Sequence, residues 1–135
     1  EYRIQQVQFL GRQLQNAGVP IYRPCGGHAV YIDAGKLLKQ IPKSMFPGQA
    51  LACEIYLEGA IRTCELGSLA FGESARLELV RLAIPRRVYT ISHLLYVSKV
   101  VANVARRADQ IRGLKLINQP EHLRHFSAQL RPVEL

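Results

Sequence analysis

The sequence predicts an α+β fold, an antiparallel sheet covered by helices, in one domain spanning residues 1–135. Three observations carry this expectation. The chain has 135 residues and 48% hydrophobic content, the size and composition of a single-core domain. Apolar residues recur at three- and four-residue intervals in two long stretches, Ile4, Val7, Leu10, Leu14, Ala17 and Leu94, Leu95, Val97, Val100, Val101, Val104, the period of core-facing helices. Between them lie short β-type runs separated by Gly and Pro, with no repeats, low-complexity segments or internal linker.

Taken in order, the first helix stops at Asn16-Ala17-Gly18 ahead of Pro20. Val19 to Arg23 and His28 to Ile32 read as two strands of a hairpin around the turn Pro24-Cys25-Gly26-Gly27. Asp33 can cap a short helix over Ala34 to Gln40, and Pro47 can open another that runs to Glu58 and stops at Gly59. With Leu51, Ala52, Cys53, Ile55 and Leu57 apolar over much of its surface, that helix is expected to be sandwiched. Ala60 to Leu66 reads as a strand, Gly67 to Ser74 as a loop and Leu77 to Ile84 as the central strand. Thr90 or Ser92 can cap the longest helix, with Gly113 as its stop, and Leu114 to Ile117 is a last strand.

The formal charge of +8 raises the prospect of a polyanionic partner. The basic residues are nonetheless scattered, adjacent only at Arg86-Arg87 and Arg106-Arg107, and no aromatic–basic RNA-binding signature is present. A basic nucleic-acid-binding module is therefore the distant alternative. Arg106, Arg107 and Arg112 fall at a helix C-terminus, where cations offset the helix dipole. Cys25, Cys53 and Cys64 show no CxxC or zinc-type spacing, which fits a reducing cytosol. No apolar run approaches the roughly 18 residues needed to span a bilayer. A cytoplasmic protein without membrane or nucleic-acid partners is the expectation, and an opening Glu1 in place of Met suggests a piece of something larger.

Among candidate chemical groups, His28, His93 and His122 have plain structural readings, and His125 stands between Arg124 and Phe126. No nucleophile–base set, phosphate loop or metal-ligand spacing is recognisable, so no catalytic, cofactor-binding or metal-binding residue is assigned to this segment. Arg81 is different. It interrupts what reads as a strand apolar on both faces, with Leu77, Leu79 and Ala83 on its own side and Val80, Leu82 and Ile84 on the other. A guanidinium held there requires an anion. Two readings stand: an internal salt bridge to Glu65 or Glu78, or a ligand carboxylate or phosphate.

Four motifs then carry a resemblance. Gly26-Gly27-His28-Ala29-Val30-Tyr31-Ile32-Asp33-Ala34, Phe46-Pro47-Gly48-Gln49-Ala50-Leu51-Ala52-Cys53-Glu54, Arg81-Leu82-Ala83-Ile84-Pro85-Arg86-Arg87-Val88-Tyr89-Thr90 and Leu123-Arg124-His125-Phe126-Ser127 occur in this order. Together they closely resemble the C-terminal part of the aromatic amino acid β-eliminating lyases, the tryptophanase and tyrosine phenol-lyase family. The resemblance implies an α/β enzyme of the aspartate-aminotransferase type (fold type I). This chain would be its small C-terminal domain, and an upstream large domain would hold pyridoxal phosphate, the cofactor lysine, the acid–base residues and a potassium ion. It also implies a cytoplasmic homotetramer, with the segment alone inactive.

By position, the resemblance makes Arg81 the arginine that holds the substrate α-carboxylate, and it favours the ligand reading of that residue. It makes Leu66, Cys64 and His125 residues of the ring pocket. The phenol-lyase branch has arginine at the position of Leu66 and phenylalanine at that of His125, so the chain looks like the tryptophanase branch, which converts tryptophan and water to indole, pyruvate and ammonia. Tyrosine phenol-lyase or another β-eliminating lyase is the alternative. The stretch from Gly67 to Arg81 is shorter than the family's usual loop.

Overall fold

The structure, a computed structural model, describes residues 2–22, 29–83, 90–118 and 129–133. Two antiparallel sheets and five α-helices account for most of these. Helix α1 (Tyr2–Asn16) leads to strand β1 (Ala29–Asp33), short helix α2 (Ala34–Leu37) and helix α3 (Pro47–Gly59). Strand β2 (Cys64–Leu66), helix α4 (Ser68–Phe71), strand β3 (Leu79–Ala83) and helix α5 (Ile91–Arg106) follow, and strands β4 (Leu114–Asn118) and β5 (Gln129–Pro132) pair with each other. The main sheet has the order β1-β3-β2, so β3 is central, as expected from its composition.

The local signals explain the helix starts. Asp33 accepts a hydrogen bond from the Lys36 backbone N–H at 3.1 Å and so caps α2. Pro47 occupies the first turn of α3, where its missing N–H costs nothing. Thr90 caps α5, and the His93 ring closes a capping box by accepting from the Thr90 N–H at 3.1 Å. The expected hairpin survives as one bridge, Ile21 to Ile32, with Tyr22 N–H bonded to Tyr31 C=O at 2.8 Å and Asp33 N–H to Pro20 C=O at 2.9 Å. Its turn, residues 23–28, lies outside the described residues.

Val7, Leu10 and Leu14 of α1, Leu51 and Ile55 of α3, and Leu94, Val100, Val101 and Val104 of α5 converge with Val30, Ile32, Val80 and Leu82 of the sheet. Helices α1 and α3 contact the sheet directly, and α5 packs against both of them. The helical stripes are narrower than the sequence pattern. Ile4 is 47% exposed and Leu57 is 77% exposed, so α3, although it contacts both the sheet and α5, keeps an open side at its C-terminal end. The strand expected over Ala60 to Leu66 is shortened to Cys64–Leu66, and the expected helix from Ala34 ends at Leu37. The stretch expected to be a loop, Gly67 to Ser74, contains α4 and a 3-10 turn.

Two glycines expected as helix stops prove to be packing positions. Helix α5 ends at Arg106, well before Gly113, and a Cβ on Gly113 would stand 2.5 Å from the Met45 Cβ. Gly59 is still helical. Ala60 takes the left-handed cap (φ 56°), and a Cβ on Gly59 would lie 2.5 Å from Val100 Cγ2 and 2.9 Å from Val100 Cγ1. Overpacking of this kind costs about 1–3 kcal/mol, while alanine in a helix recovers up to about 1 kcal/mol over glycine. Gly59→Ala is thus expected to lower stability by about 1 kcal/mol, read from the denaturant midpoint, and Gly59→Ala with Val100→Ala to recover part of that loss.

Candidate functional site

Register decides which residues meet. Arg81 stands opposite Tyr31 of β1 on one side and Cys64 of β2 on the other; Leu79 stands opposite Asp33 and Leu66. Because successive side chains of a strand point to opposite faces, Tyr31, Arg81 and Cys64 form one row on a single face, with Leu79 and Leu66 in the next. All five are half-buried. The opposite face presents Val30, Ile32, Val80, Leu82 and Glu65, each at most 4% exposed beneath the helices. The expectation of a strand apolar and buried on both faces is therefore corrected: β3 has one core face and one open face, and Arg81 is on the open one.

The internal salt-bridge reading of Arg81 fails for the same geometric reason. Glu65 pairs with Val80 and points into the core, and Glu78, two residues before Val80, is on that side as well. Among the described residues the salt bridges are Arg107 to Glu54 at 3.0 Å and Arg107 to Glu58 at 3.2 Å. The Arg81 Nε is buried and has no hydrogen-bond partner among the described residues. Asp33, on the same face, is engaged as the cap of α2. A buried donor left without an acceptor costs about 1–3 kcal/mol. The open face therefore carries a planar cation with bonding capacity in reserve, between a phenol ring and a thiol, with apolar Leu66 and Leu79 next to it.

The two glutamates serve another purpose that the sequence did not reveal. Glu65 accepts the backbone N–H groups of Gly67 (2.9 Å), Leu69 (2.9 Å) and Ala70 (3.1 Å). Glu78 accepts the N–H of Ser68 at 2.8 Å and its hydroxyl. The first four donors of α4, which a helix cannot satisfy itself, are thus all taken by two carboxylates, one from β2 and one from the residue ahead of β3. The only sequence trace is the pattern Glu65-Leu66-Gly67-Ser68 followed by Glu78. Gly67 is required because a Cβ there would overlap the Glu78 carboxylate.

Burial, helped by the nearby Glu65 charge, pushes the Glu78 carboxyl above its ordinary value of 4.5, although Ser68 and Lys43 oppose the shift. The folded protein then holds the proton more tightly than the unfolded chain. This contribution to stability is fully present below pH 4.5 and is lost as pH rises through the folded-state value. Denaturant midpoints measured from pH 4 upward are expected to show a component that falls with pH in the wild type and is missing in Glu78→Gln. An unchanged slope in the variant contradicts this.

Of the residues expected at the site, Arg81, Cys64 and Leu66 are brought together; His125 lies outside the described residues. Tyr31 joins them and was not singled out from the sequence; its alternation with Val30 and Ile32 was visible, but its partner strand was not. Cys53 and Cys64 are free thiols. Burial raises the Cys53 thiol above 9.0, which makes it a poor nucleophile at neutral pH. Arg107, read as a helix-dipole cation, also ties α5 to α3 through Glu54 and Glu58. Among the described residues no group of three or more His, Cys, Asp or Glu could hold a metal ion, and no helix is long and apolar enough to cross a membrane.

Nearly the whole chain is homologous to a C-terminal portion of the aromatic amino acid β-eliminating lyases, the tryptophanases and tyrosine phenol-lyases. A probable tryptophanase of Halobacterium salinarum is 50% identical over 133 residues, covering 97% of this chain and 30% of that protein. The tryptophanase of Hyphomonas neptunium is 44% identical over 134 residues, covering 94% and 30%, and the tyrosine phenol-lyase of Pasteurella multocida is 43% identical over 140 residues, covering 98% and 31%. The chain thus spans about 30% of the length of the curated relatives it matches. No family model matches it. Both named activities occur among relatives of similar identity, and none of these relatives is named as a nucleic-acid-binding protein.

Proposed function

We propose that this chain is the small domain of a longer β-eliminating lyase, and that its open sheet face receives an aromatic amino acid with Arg81 gripping the α-carboxylate. The observation that carries this reading is the buried Nε of Arg81, without a hydrogen-bond partner among the described residues, beside half-buried Cys64 and Leu66. A guanidinium presents two parallel N–H donors in the plane of a carboxylate, which fixes orientation as well as charge. Held at that end, the amino acid has its side chain laid along the apolar row of Leu66 and Leu79, and the reacting carbon is oriented for chemistry supplied from elsewhere.

The pyridoxal phosphate that the resemblance implies supplies an electron sink to the substrate when bound. The described residues do not fit that cofactor. Lys36, Lys39, Lys43, Lys99 and Lys115 are all exposed, and the N-terminal donors of α4 are occupied by Glu65 and Glu78. The cofactor, the potassium ion, the acid–base residues and the contacts of a cytoplasmic homotetramer are accordingly assigned to the rest of the polypeptide, and no step is derived through them.

Tryptophan is the substrate this reading prefers. Leu66 offers apolar surface to a flat indole and gives no hydrogen bond to a phenolic oxygen. The test is release of indole and pyruvate from tryptophan by the full-length protein, against release of phenol from tyrosine. Tyrosine cleavage faster than tryptophan cleavage would move the assignment to the phenol-lyase branch; failure of both substrates would remove it from the class.

A further inference from the structure

We propose that Glu65 and Glu78 are positioning residues for the ring pocket: by clamping α4 between them they lock the register of β2 on β3 and so hold Leu66 and Cys64 at their stations beside Arg81. This rests on the substrate-binding reading of the open face given above. Strand β2 has only three residues and, among the described residues, lies at the sheet edge and pairs with β3 alone. An edge strand that short has few ladder bonds to resist slipping, and a slip by one residue would turn Leu66 and Cys64 away from the open face.

The clamp supplies what the ladder lacks. Glu65 sits between the two site residues, points to the core at 2% exposure and binds the backbone of residues 67, 69 and 70. Glu78 binds residue 68 from just ahead of β3, directly before Leu79, the register partner of Leu66. Ser68 adds a second tie: its hydroxyl lies within hydrogen-bonding distance of both the Glu78 carboxyl and the Lys43 carbonyl, the latter at 2.9 Å, and its one proton is donated to either of them. On the opposite side of Glu65, a Cβ on Gly48 of α3 would approach its Cγ to 3.0 Å, so the carboxylate stem is confined against that helix. Leu66 is therefore held between two anchored residues, Glu65 and Gly67, while its own side chain stays on the open face.

The requirement is for carboxylate oxygens and not for bulk. Each Glu65 oxygen accepts backbone N–H groups, so glutamine would turn an NH2 group toward donors and expel one side of the cluster. In the full-length protein, Glu65→Gln is expected to lower the ratio of tryptophan to S-alkyl cysteine kcat/KM by about fivefold or more, because only the larger leaving group uses the ring pocket. Ser68→Ala, which removes one hydroxyl and leaves both carboxylates, is expected to lower the same ratio by about threefold. Loss of folded protein alone lowers both values together and leaves the ratio unchanged, and that result in either folded variant overturns the proposal. If Glu65→Gln does not fold, Ser68→Ala decides alone. Arg81→Lys measured alongside separates the two claims. Normal kinetics there remove the underlying reading, whereas impaired Arg81→Lys with unaltered ratios in the clamp variants removes only the clamp.

Discussion

Arg81→Lys in the full-length protein is expected to lose about thirtyfold or more in kcat/KM for tryptophan, about 2 kcal/mol of transition-state stabilisation. Lysine keeps the charge but replaces a planar two-point grip with a single ammonium on a flexible stem. Arg81→Ala is expected to lose more. Neither should unfold the domain: Arg81 is on the open face, and its Nε is already without a partner among the described residues. The decisive pair of measurements is steady-state kinetics and the denaturant midpoint of the same variants. Near-normal kinetics with a lowered midpoint would make Arg81 a structural residue after all.

Leu66→Arg is expected to cut tryptophan cleavage by more than about tenfold, a barrier increase above about 1.4 kcal/mol, while S-alkyl cysteine cleavage survives. The substitution sets a second guanidinium on the face that already carries Arg81, one row away in the register, and puts charge where the indole would lie. A small leaving group does not reach that row, and the carboxylate contact is untouched. Gain of tyrosine cleavage is not expected from this change alone, because protonation of a phenol needs groups outside the described residues. If both substrates fall by the same factor, Leu66 does not face the ring.

Much of the fold was legible where a residue acts through its own chain neighbours. Asp33, Pro47 and Thr90 cap or open the helices they were expected to, and alternation put Arg81, Leu79 and Ala83 on one face. What the sequence hid depends on residues distant in the chain. Helix α4 has only four residues and no period to read; it exists because Glu65 and Glu78 meet its free N–H groups. Gly59 and Gly113 resemble helix stops, yet each is needed where Val100 or Met45 comes close. Whether Glu65 was the partner of Arg81 was undecidable until the register turned it the other way. Leu57 has the composition of a core residue, yet it falls on the side of α3 turned away from both the sheet and α5 and is exposed.

The most direct test of the role given to Arg81 changes the substrate and the residue together. Cleavage of L-tryptophan and of its carboxamide is measured with the wild-type full-length protein and with Arg81→Ala. If the guanidinium grips the carboxylate, the wild type strongly prefers the acid, and the variant loses that preference, with a coupling of about 2 kcal/mol or more. If acid and amide are discriminated equally in both proteins, Arg81 does not touch the carboxylate, and the open face is not the substrate-binding surface described.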